Sequence, residues 1–168
     1  MNSPYYAHAH LAAVDLYPER SDDVVPSPVT GRVVGIRNVK APRQRYFQAD
    51  ENEKLLLIAN NGENTAKILH LNPSVTVGDS VDVSQPIGRY VRSGFFNFWT
   101  PPHIHLEIRP TRDPIRARGS FPMVPKLPIA TASRISSNVD LNDLSCQVIA
   151  LRPEFLLLKP LHQVFSAI

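Results

Sequence analysis

The sequence predicts a mainly β protein, built on an antiparallel β-sheet and followed by a C-terminal extension. Sixteen prolines spread over 168 residues interrupt the chain too often for long helices. Apolar and β-branched runs of strand length recur between these breaks. The turn signal Asn60-Asn-Gly62 separates two such runs and is typical of a β-hairpin.

These runs are predicted as strands from their alternation, apolar content and bounding turns. Residues 37–52 are polar and basic, which favours an exposed loop. Two brief strands are expected within 75–83, around Gly78-Asp79, whereas 111–135 is rich in proline and arginine and shows no periodicity. The other predicted strands are 14–17, 32–36, 54–59, 65–71, 85–91, 146–151 and 154–158.

One further strand is predicted within Thr100-Pro-Pro-His-Ile-His-Leu-Glu-Ile-Arg-Pro110. Side chains on a strand repeat with a period of two, so His103, His105 and Glu107 share one face. The intervening isoleucines and leucine share the opposite face, which predicts that this opposite face packs into a core. The imidazole face requires another explanation, and metal binding or catalysis supplies one.

Composition excludes several kinds of protein. A single cysteine, Cys146, rules out an internal disulfide and any zinc site built from two or more cysteines. The net charge of +3 is dispersed along the chain, so nucleic-acid binding is not expected. No signal peptide or membrane-spanning segment is recognisable, so no membrane association and, by default, a cytoplasmic location are expected. The sequence does not indicate an oligomeric state.

The histidines are distributed in a way that favours a zinc site. Four of the six form two H-x-H units, His8/His10 and His103/His105, and Asp15 follows the first unit closely. Catalytic zinc is held by three side chains, with imidazole nitrogen and carboxylate oxygen among its preferred ligands. One histidine from each unit together with Asp15 supplies such a set. The second histidine of the strand is then placed to act as a general base.

An ordered series of motifs resembles the lysostaphin/LytM-type zinc endopeptidases, the M23 metallopeptidase family. After a His…Asp pair come Ser27-Pro-Val-Thr-Gly-Arg-Val33 and a hairpin that returns through Ile68-Leu-His-Leu71. Val75-Thr-Val-Gly-Asp-Ser-Val-Asp-Val-Ser-Gln-Pro-Ile-Gly88 follows, and the series closes on His103-Ile-His-Leu-Glu107. The order of the pieces, more than any one of them, carries the resemblance.

The resemblance implies a LytM-type unit, a duplicated hybrid motif of antiparallel strands, over residues 1–110, with 111–168 as an extension packed on it. It implies that zinc activates water for attack on a peptide carbonyl, with a peptide as substrate; the family cuts peptides of bacterial cell walls. The implied zinc ligands are His10, Asp15 and His105. The implied catalytic residues are His103, as base, and His70, which orients the water or stabilises the oxyanion.

Three features depart from the family pattern. The family motif H-x-x-x-D would need a histidine at position 11, which is Leu11, so His10 is predicted as the ligand, with a bulge restoring the geometry; His8 is the alternative. Ile68 replaces a tyrosine. The aromatic segment, Phe95-Phe-Asn-Phe-Trp99, replaces small residues and is expected either to line the groove by bulk or to bind substrate.

A binding module is the alternative to an enzyme. Ser27–Val33 and Val77–Gly88 also resemble the hairpins of biotinyl/lipoyl domains, and the sugar-phosphotransferase IIA domain is a further relative in architecture. The biotinyl/lipoyl domains need a modified lysine at a hairpin tip, and the tip at Asn60-Asn61 has none. The IIA domain instead uses histidine pairs around its phosphoacceptor, and two histidines one residue apart on a strand would be unusual for it. A catalytically inactive zinc-binding or regulatory protein also remains open at this stage.

Overall fold

One short helix and ten strands form in the part of the chain that the computed structural model describes, namely residues 5–18, 23–60, 62–124, 146–151 and 156–161. The elements in chain order are α1 (Tyr6–Ala9), β1 (Val14–Leu16), β2 (Val24–Pro26), β3 (Gly31–Asn38), β4 (Lys54–Asn60), β5 (Asn64–Pro73), β6 (Ser80–Val81), β7 (Pro86–Tyr90), β8 (Ile104–Pro110), β9 (Cys146–Leu151) and β10 (Leu156–Pro160).

Strands β1 to β8 form a single antiparallel sheet, which confirms the predicted mainly β fold class. Its main path is β1-β8-β5-β4-β3-β6, and β7 joins β5 to β2. The ten-residue strand β5 is the centre of the sheet because it pairs with β4, β7 and β8. The site described below is built on β8, its neighbour β1 and the end of β5.

The core forms on one face of this sheet. Leu56 and Ile58 of β4, Ile68 of β5 and Ile104 of β8 are almost completely buried in the same hydrophobic cluster. Leu106 belongs to that cluster and Ile108 packs against it, so the apolar alternation of β8 faces the core as predicted. Because successive strand residues point to opposite faces, His103, His105 and Glu107 are directed to the other side.

Most of the predicted strands are confirmed, with shifts of one or two residues at their ends. The hairpin at Asn60–Gly62 is confirmed by the pairing of Asn60 with Asn64. Only Ser80–Val81 forms a strand where two were expected within 75–83. Helix α1 was not predicted, since four residues are too few to show a helical period. The predicted strand 154–158 is β10, although residues 154 and 155 lie outside the described part of the chain.

The chain divides into two compact units, Met1–Val124 and Pro125–Ile168. Residues 111–124, predicted as part of the extension, cluster with the first unit. Arg109, whose side chain is completely buried, holds them by donating hydrogen bonds to the carbonyls of Asp113 and Arg118 at 3.1 and 2.6 Å.

In the second unit, β9 and β10 form a two-stranded antiparallel sheet. None of the helical segments among the described residues has the length and hydropathy to cross a bilayer.

Gly88 of β7 lies where the backbone of β5 leaves no space for a side chain. A Cβ atom there would stand 2.4 Å from the carbonyl oxygen of Asn72 and 2.8 Å from Cα of Pro73. We expect Gly88→Ala to lower the free energy of unfolding by about 1–3 kcal/mol, because rigid backbone must move. Urea denaturation measures this change.

Gly35→Ala is the matched control, since its Cβ would meet only the side chain of Leu57, at 3.2 Å. A loss of stability at Gly88 no larger than at Gly35 would contradict the pairing of β7 with β5.

Candidate metal centre and active site

The register between β1 and β8 places Asp15 directly opposite His105. Residues opposite each other in an antiparallel pair have Cβ atoms about 4.5–5.5 Å apart, so their side chains meet. His105 Nδ1 lies 3.2 Å from Asp15 Oδ1. A carboxylate and an imidazole from two distant parts of the chain are thus brought together by backbone pairing alone.

Helix α1 brings a third potential ligand, His8, to this pair. His8 Nε2 lies 3.0 Å from His105 Nδ1 and 3.2 Å from Asp15 Oδ1. The three atoms form a nearly equilateral triangle, and His8, Asp15 and His105 are the group among the described residues whose ligand atoms converge as a metal site requires. Asp15 and His8 are partly exposed, at 28% and 22% of their side chains, so the triangle is open to solvent on one side.

His10, the predicted ligand, is not brought into this group. Its ring stacks on Tyr6 with centroids 3.9 Å apart, and its Nδ1 lies 2.8 Å from the Tyr6 carbonyl oxygen. Residues two apart on a helical turn point in different directions, so only one of His8 and His10 can face Asp15.

The structure places His8 there, the alternative that the sequence left open. A helical turn advances only 1.5 Å per residue, which lets His8 reach Asp15 across a longer stretch of sequence than H-x-x-x-D. The sequence predicted a bulge between His10 and Asp15. Instead, α1 ends at Ala9 and the chain turns towards β1 at Leu11, which has a φ of +54°.

The triangle fits a tetrahedral metal. Zinc–nitrogen and zinc–oxygen bonds of about 2.0–2.2 Å keep ligand atoms roughly 3.3 Å apart at tetrahedral angles, and the three observed separations are 3.0, 3.2 and 3.2 Å. Two imidazoles and one carboxylate are also a ligand set that catalytic zinc uses, with a fourth position left for water. The residues present therefore fit zinc in both chemistry and spacing.

The orientation of His105 is fixed from behind by Glu107. His105 Nε2 lies 3.3 Å from Glu107 Oε1, so a proton on Nε2 leaves Nδ1 as the free nitrogen facing the triangle. A carboxylate partner on the far nitrogen is the usual support of a metal-binding histidine. The structure thus assigns Glu107, which the sequence grouped with the histidines by alternation, to a supporting position.

Glu107 is itself held in a buried polar network. Lys67 Nζ donates to Oε1 at 2.7 Å and Arg109 Nη1 donates to Oε2 at 3.0 Å. Ser120 also donates to Oε2, so the carboxylate has partners on both oxygens. Lys67 pairs with Glu107 across β5 and β8. Buried charges are tolerated only when paired and hydrogen-bonded, and this network meets that requirement.

The pKa values around the triangle are shifted by burial and by these contacts. Burial alone would raise the pKa of Glu107, but hydrogen bonds from His105, Lys67 and Ser120 outweigh it and lower that pKa strongly. Burial would lower the pKa of His105, yet hydrogen bonds to Asp15 and Glu107 raise it. The pKa of Asp15 is lowered because the neighbouring histidines outweigh its burial. Burial lowers the pKa of His8, which favours the neutral imidazole that binds metals.

His103 stands beside the triangle with one ring nitrogen anchored. Its Nδ1 lies 3.0 Å from the carbonyl oxygen of Pro101, while its Nε2 lies 3.6 Å from Asp15 Oδ2. Phe96 stacks on its ring at 4.3 Å between centroids. Burial is the main cause that lowers the pKa of His103, so the neutral form is favoured. A neutral imidazole with an open Nε2 at the edge of a metal site is the arrangement expected of a general base.

His70 enters the same site through an irregularity in β5. Leu56 pairs with Ile68 but Lys54 pairs with Leu71, so β5 holds one residue more than β4 at this point. His70 has a φ of +70°, in the left-handed region, which is strained for a residue with a side chain. Its ring centroid lies 5.6 Å from that of His103 and 6.0 Å from that of His105. A β-bulge of this kind re-aims a side chain towards a site.

Aromatic side chains enclose one side of the histidines. Phe96 is buried and contacts both His103 and His70, so it lines the site by bulk as one of the two predictions stated. Phe98 and Trp99 contact each other edge to face, with Trp99 half exposed. Tyr17 also contacts His103, with ring centroids 4.8 Å apart. The site is therefore partly shielded from water.

Sequence reasoning missed several residues of this site. Glu53 hydrogen-bonds to His70, and Lys67 and Ser120 hold Glu107, yet each comes from a different part of the chain. No local motif marks Glu53 or Ser120. Lys67 had one usable signal, because a lysine in the middle of a strand flanked by buried residues needs a buried partner.

The fold and the site define the protein's class: an antiparallel β protein with a convergent His/Asp/His cluster. Residues 1–125 match the family model described as Domain of unknown function (DUF8155) N-terminal domain. The chain belongs to this family. Among curated proteins, none matches the sequence.

Three solved structures are similar in part. The first is described as "Identification and structural characterization of LytU" (TM-score 0.46, 24% identity), where the match covers 60% of this chain and 61% of LytU. The second is a mutant form of the catalytic domain of the prophage-encoded M23 protein EnpA from Enterococcus faecalis (TM-score 0.43, 19% identity), where the match covers 65% of this chain and 72% of the other. The third is a zinc-containing peptidase from Vibrio cholerae (TM-score 0.40, 24% identity), where the match covers 58% of this chain and 27% of the other. Likeness at these TM-scores does not decide a function.

Replacing Glu107 by glutamine tests the buried network. The change leaves Lys67 buried without its countercharge and leaves Arg109 only Asp113, whose carboxylate is 4.0 Å away, so we expect the free energy of unfolding to fall by roughly 3–5 kcal/mol at pH 7. Because folding lowers the pKa of Glu107, the stabilisation is complete above the ordinary glutamate pKa of about 4.3 and is lost as the pH falls through the lower folded value. The difference between wild type and Glu107→Gln should therefore narrow below about pH 4.3. Urea denaturation across pH measures it.

The exposed residue Glu51 provides the control. Glu51→Gln should change stability by no more than about 0.5 kcal/mol. Equal effects of the two substitutions would mean that Glu107 is not held by the network described.

Proposed function

We propose that this protein is a zinc-dependent metalloendopeptidase of the M23 type that hydrolyses peptide bonds, with peptides of the bacterial cell-wall kind as its substrate class. The observation that carries the proposal is the triangle of His8 Nε2, Asp15 Oδ1 and His105 Nδ1, whose sides of 3.0–3.2 Å match the spacing of tetrahedral zinc ligands. The ordered series of M23-like motifs supports the assignment of the reaction.

His8, Asp15 and His105 would hold the metal. Zinc bound in such a site lowers the pKa of water and polarises a carbonyl oxygen, which is the chemistry that peptide hydrolysis needs. Glu107 keeps the proton of His105 on Nε2 and thereby keeps Nδ1 available to the metal. The lowered pKa of His8 keeps its imidazole neutral near pH 7.

His103 is proposed as the general base. Its Nδ1 is directed at the Pro101 carbonyl, so the free electron pair lies on Nε2, next to Asp15. From there it accepts a proton from the attacking water and returns it to the leaving amine. His70 lies within 6.0 Å of His103 and His105 by ring centroids and is placed to bind the water or the carbonyl oxygen.

Metal analysis of purified protein tests the site first. We expect close to one zinc per chain, with loss of zinc in His8→Ala, Asp15→Ala and His105→Ala, because each removes one of three ligands. His10→Ala is the matched control, since it removes a histidine two positions from His8 that points elsewhere. Added zinc should raise the melting temperature of the wild type and of His10→Ala but not that of the three ligand variants.

If His10→Ala loses zinc and His8→Ala retains it, the ligand assignment is wrong and the original sequence prediction holds. Absence of zinc from the wild type, with no rise in melting temperature on adding it, would overturn the metallopeptidase proposal altogether.

His103→Ala separates metal binding from catalysis. The variant should keep its zinc but lose hydrolysis by about 10²–10⁴-fold, the usual contribution of a general base. Release of peptide amines from purified bacterial cell walls and from a glycine-containing peptide measures the activity. Zinc bound by the wild type without cleavage of either probe would favour the alternative, a catalytically inactive zinc-binding protein.

A further inference from the structure

Glu53 is a buried carboxylate that the proposed reaction does not use. Only 1% of the residue is exposed, although it directly follows a polar loop and directly precedes β4. Burial of a charged carboxylate is unfavourable unless partners satisfy its oxygens. Both oxygens have one: Oε1 lies 2.7 Å from His70 Nδ1, and Oε2 accepts a hydrogen bond from Ser93 Oγ at 2.7 Å.

The contact between Glu53 and His70 determines which ring nitrogen of His70 is left without a proton. A carboxylate only accepts hydrogen bonds, so the proton between the two groups belongs to Nδ1. Among the described residues, none forms a hydrogen bond to His70 Nε2. The open nitrogen therefore belongs to a buried ring that lies beside His103 and His105.

The strained backbone of His70 makes this support necessary. A φ of +70° and the extra residue in β5 place the imidazole where regular strand geometry would not. Conformations of this kind persist only when surrounding contacts determine them. The hydrogen bond from His70 to Glu53 is one such contact, and packing against Phe96, 4.8 Å away between centroids, is another.

We infer that Glu53 is a positioning residue for the active site: it holds the proton of His70 on Nδ1 and so presents Nε2 to the water or substrate. The pair resembles the carboxylate–histidine pair of a serine-protease triad in physical role, where the carboxylate selects the tautomer and direction of the imidazole. The inference rests on the proposed function for its catalytic meaning, but the tautomer itself is measurable without any activity.

Ser93 connects the same carboxylate to the aromatic segment. Its hydroxyl donates to Glu53 and accepts a hydrogen bond from the backbone N–H of Phe95 at 3.1 Å. A purely structural role for Glu53, in which it only anchors that segment through Ser93, would produce the same contacts. The test must distinguish this structural role from control of His70.

Glu53→Gln provides that distinction at constant volume. When the glutamine oxygen keeps the hydrogen bond from Ser93, the amide NH₂ faces His70 and donates to Nδ1, which moves the imidazole proton to Nε2. Long-range ¹H–¹⁵N correlation spectra of the full chain at about pH 8.5, where an ordinary histidine is neutral, report which nitrogen carries the proton. The His70 signals are assigned by their loss in His70→Asn.

We expect a protonated Nδ1 in the wild type and a protonated Nε2 with a bare Nδ1 in Glu53→Gln. Ser93→Ala is the matched control, because it breaks the link to the aromatic segment and leaves the acceptor of His70 in place; its tautomer should be that of the wild type. A wild-type His70 that carries its proton on Nε2 alone would overturn the inference, and this requires no variant to fold. An unchanged tautomer in Glu53→Leu, which offers His70 neither an acceptor nor a donor, would overturn it equally.

Zinc content and hydrolysis complete the test. Glu53→Gln should bind zinc as the wild type does, since Glu53 contacts none of the proposed ligands, while kcat falls by roughly 10²–10⁴-fold with KM nearly unchanged. Loss of zinc from Glu53→Gln would assign Glu53 a structural role and contradict the inference. Absence of zinc from the wild type would instead contradict the proposed function and leave the tautomer result to stand on its own.

Discussion

The pairing of β1 with β8 is the constraint on which the rest of the site depends. It sets Asp15 opposite His105 through backbone hydrogen bonds, so two polar side chains from opposite ends of the first unit meet with little freedom. A slip of one residue would turn His105 towards the core and Ile104 or Leu106 towards solvent. The burial of those apolar residues therefore stabilises the register and, with it, the position of the imidazoles.

Each of the three histidines on the sheet is then anchored through one ring nitrogen. His105 is held by Glu107, His103 by the carbonyl of Pro101, and His70 by Glu53. The anchors differ in charge: two are carboxylates and one is a neutral carbonyl. His105 and His70 each face a carboxylate, whereas His103 faces a neutral carbonyl, and burial of its ring is the main cause that lowers the pKa of His103. Three identical side chains are thus held in three different environments.

Much of the fold followed from local patterns in the chain. The alternation of β8 and the Asn-Gly turn predicted both the faces and the hairpin, because strand periodicity and turn conformation depend on neighbouring residues. Residue type and order predicted that Asp15 and His105 would lie together, and both belong to the His/Asp/His cluster. The choice between His8 and His10 was not, since it depends on a four-residue helix that has no recognisable period. Glu53 lies 17 positions from its partner, and nothing in the local sequence connects the two.

The sequence by itself determined the class of fold, the polar face of β8 and the residue types of the His/Asp/His cluster, because these depend on alternation and on side-chain chemistry. Only the tertiary structure decided which atoms converge. It selected His8 over His10, placed Glu107 behind His105, and used an extra residue in β5 to bring His70 to Glu53. The physical reason is that a metal site is defined to a few tenths of an ångström, and such distances depend on strand register, a helical turn and a bulge rather than on spacing along the chain.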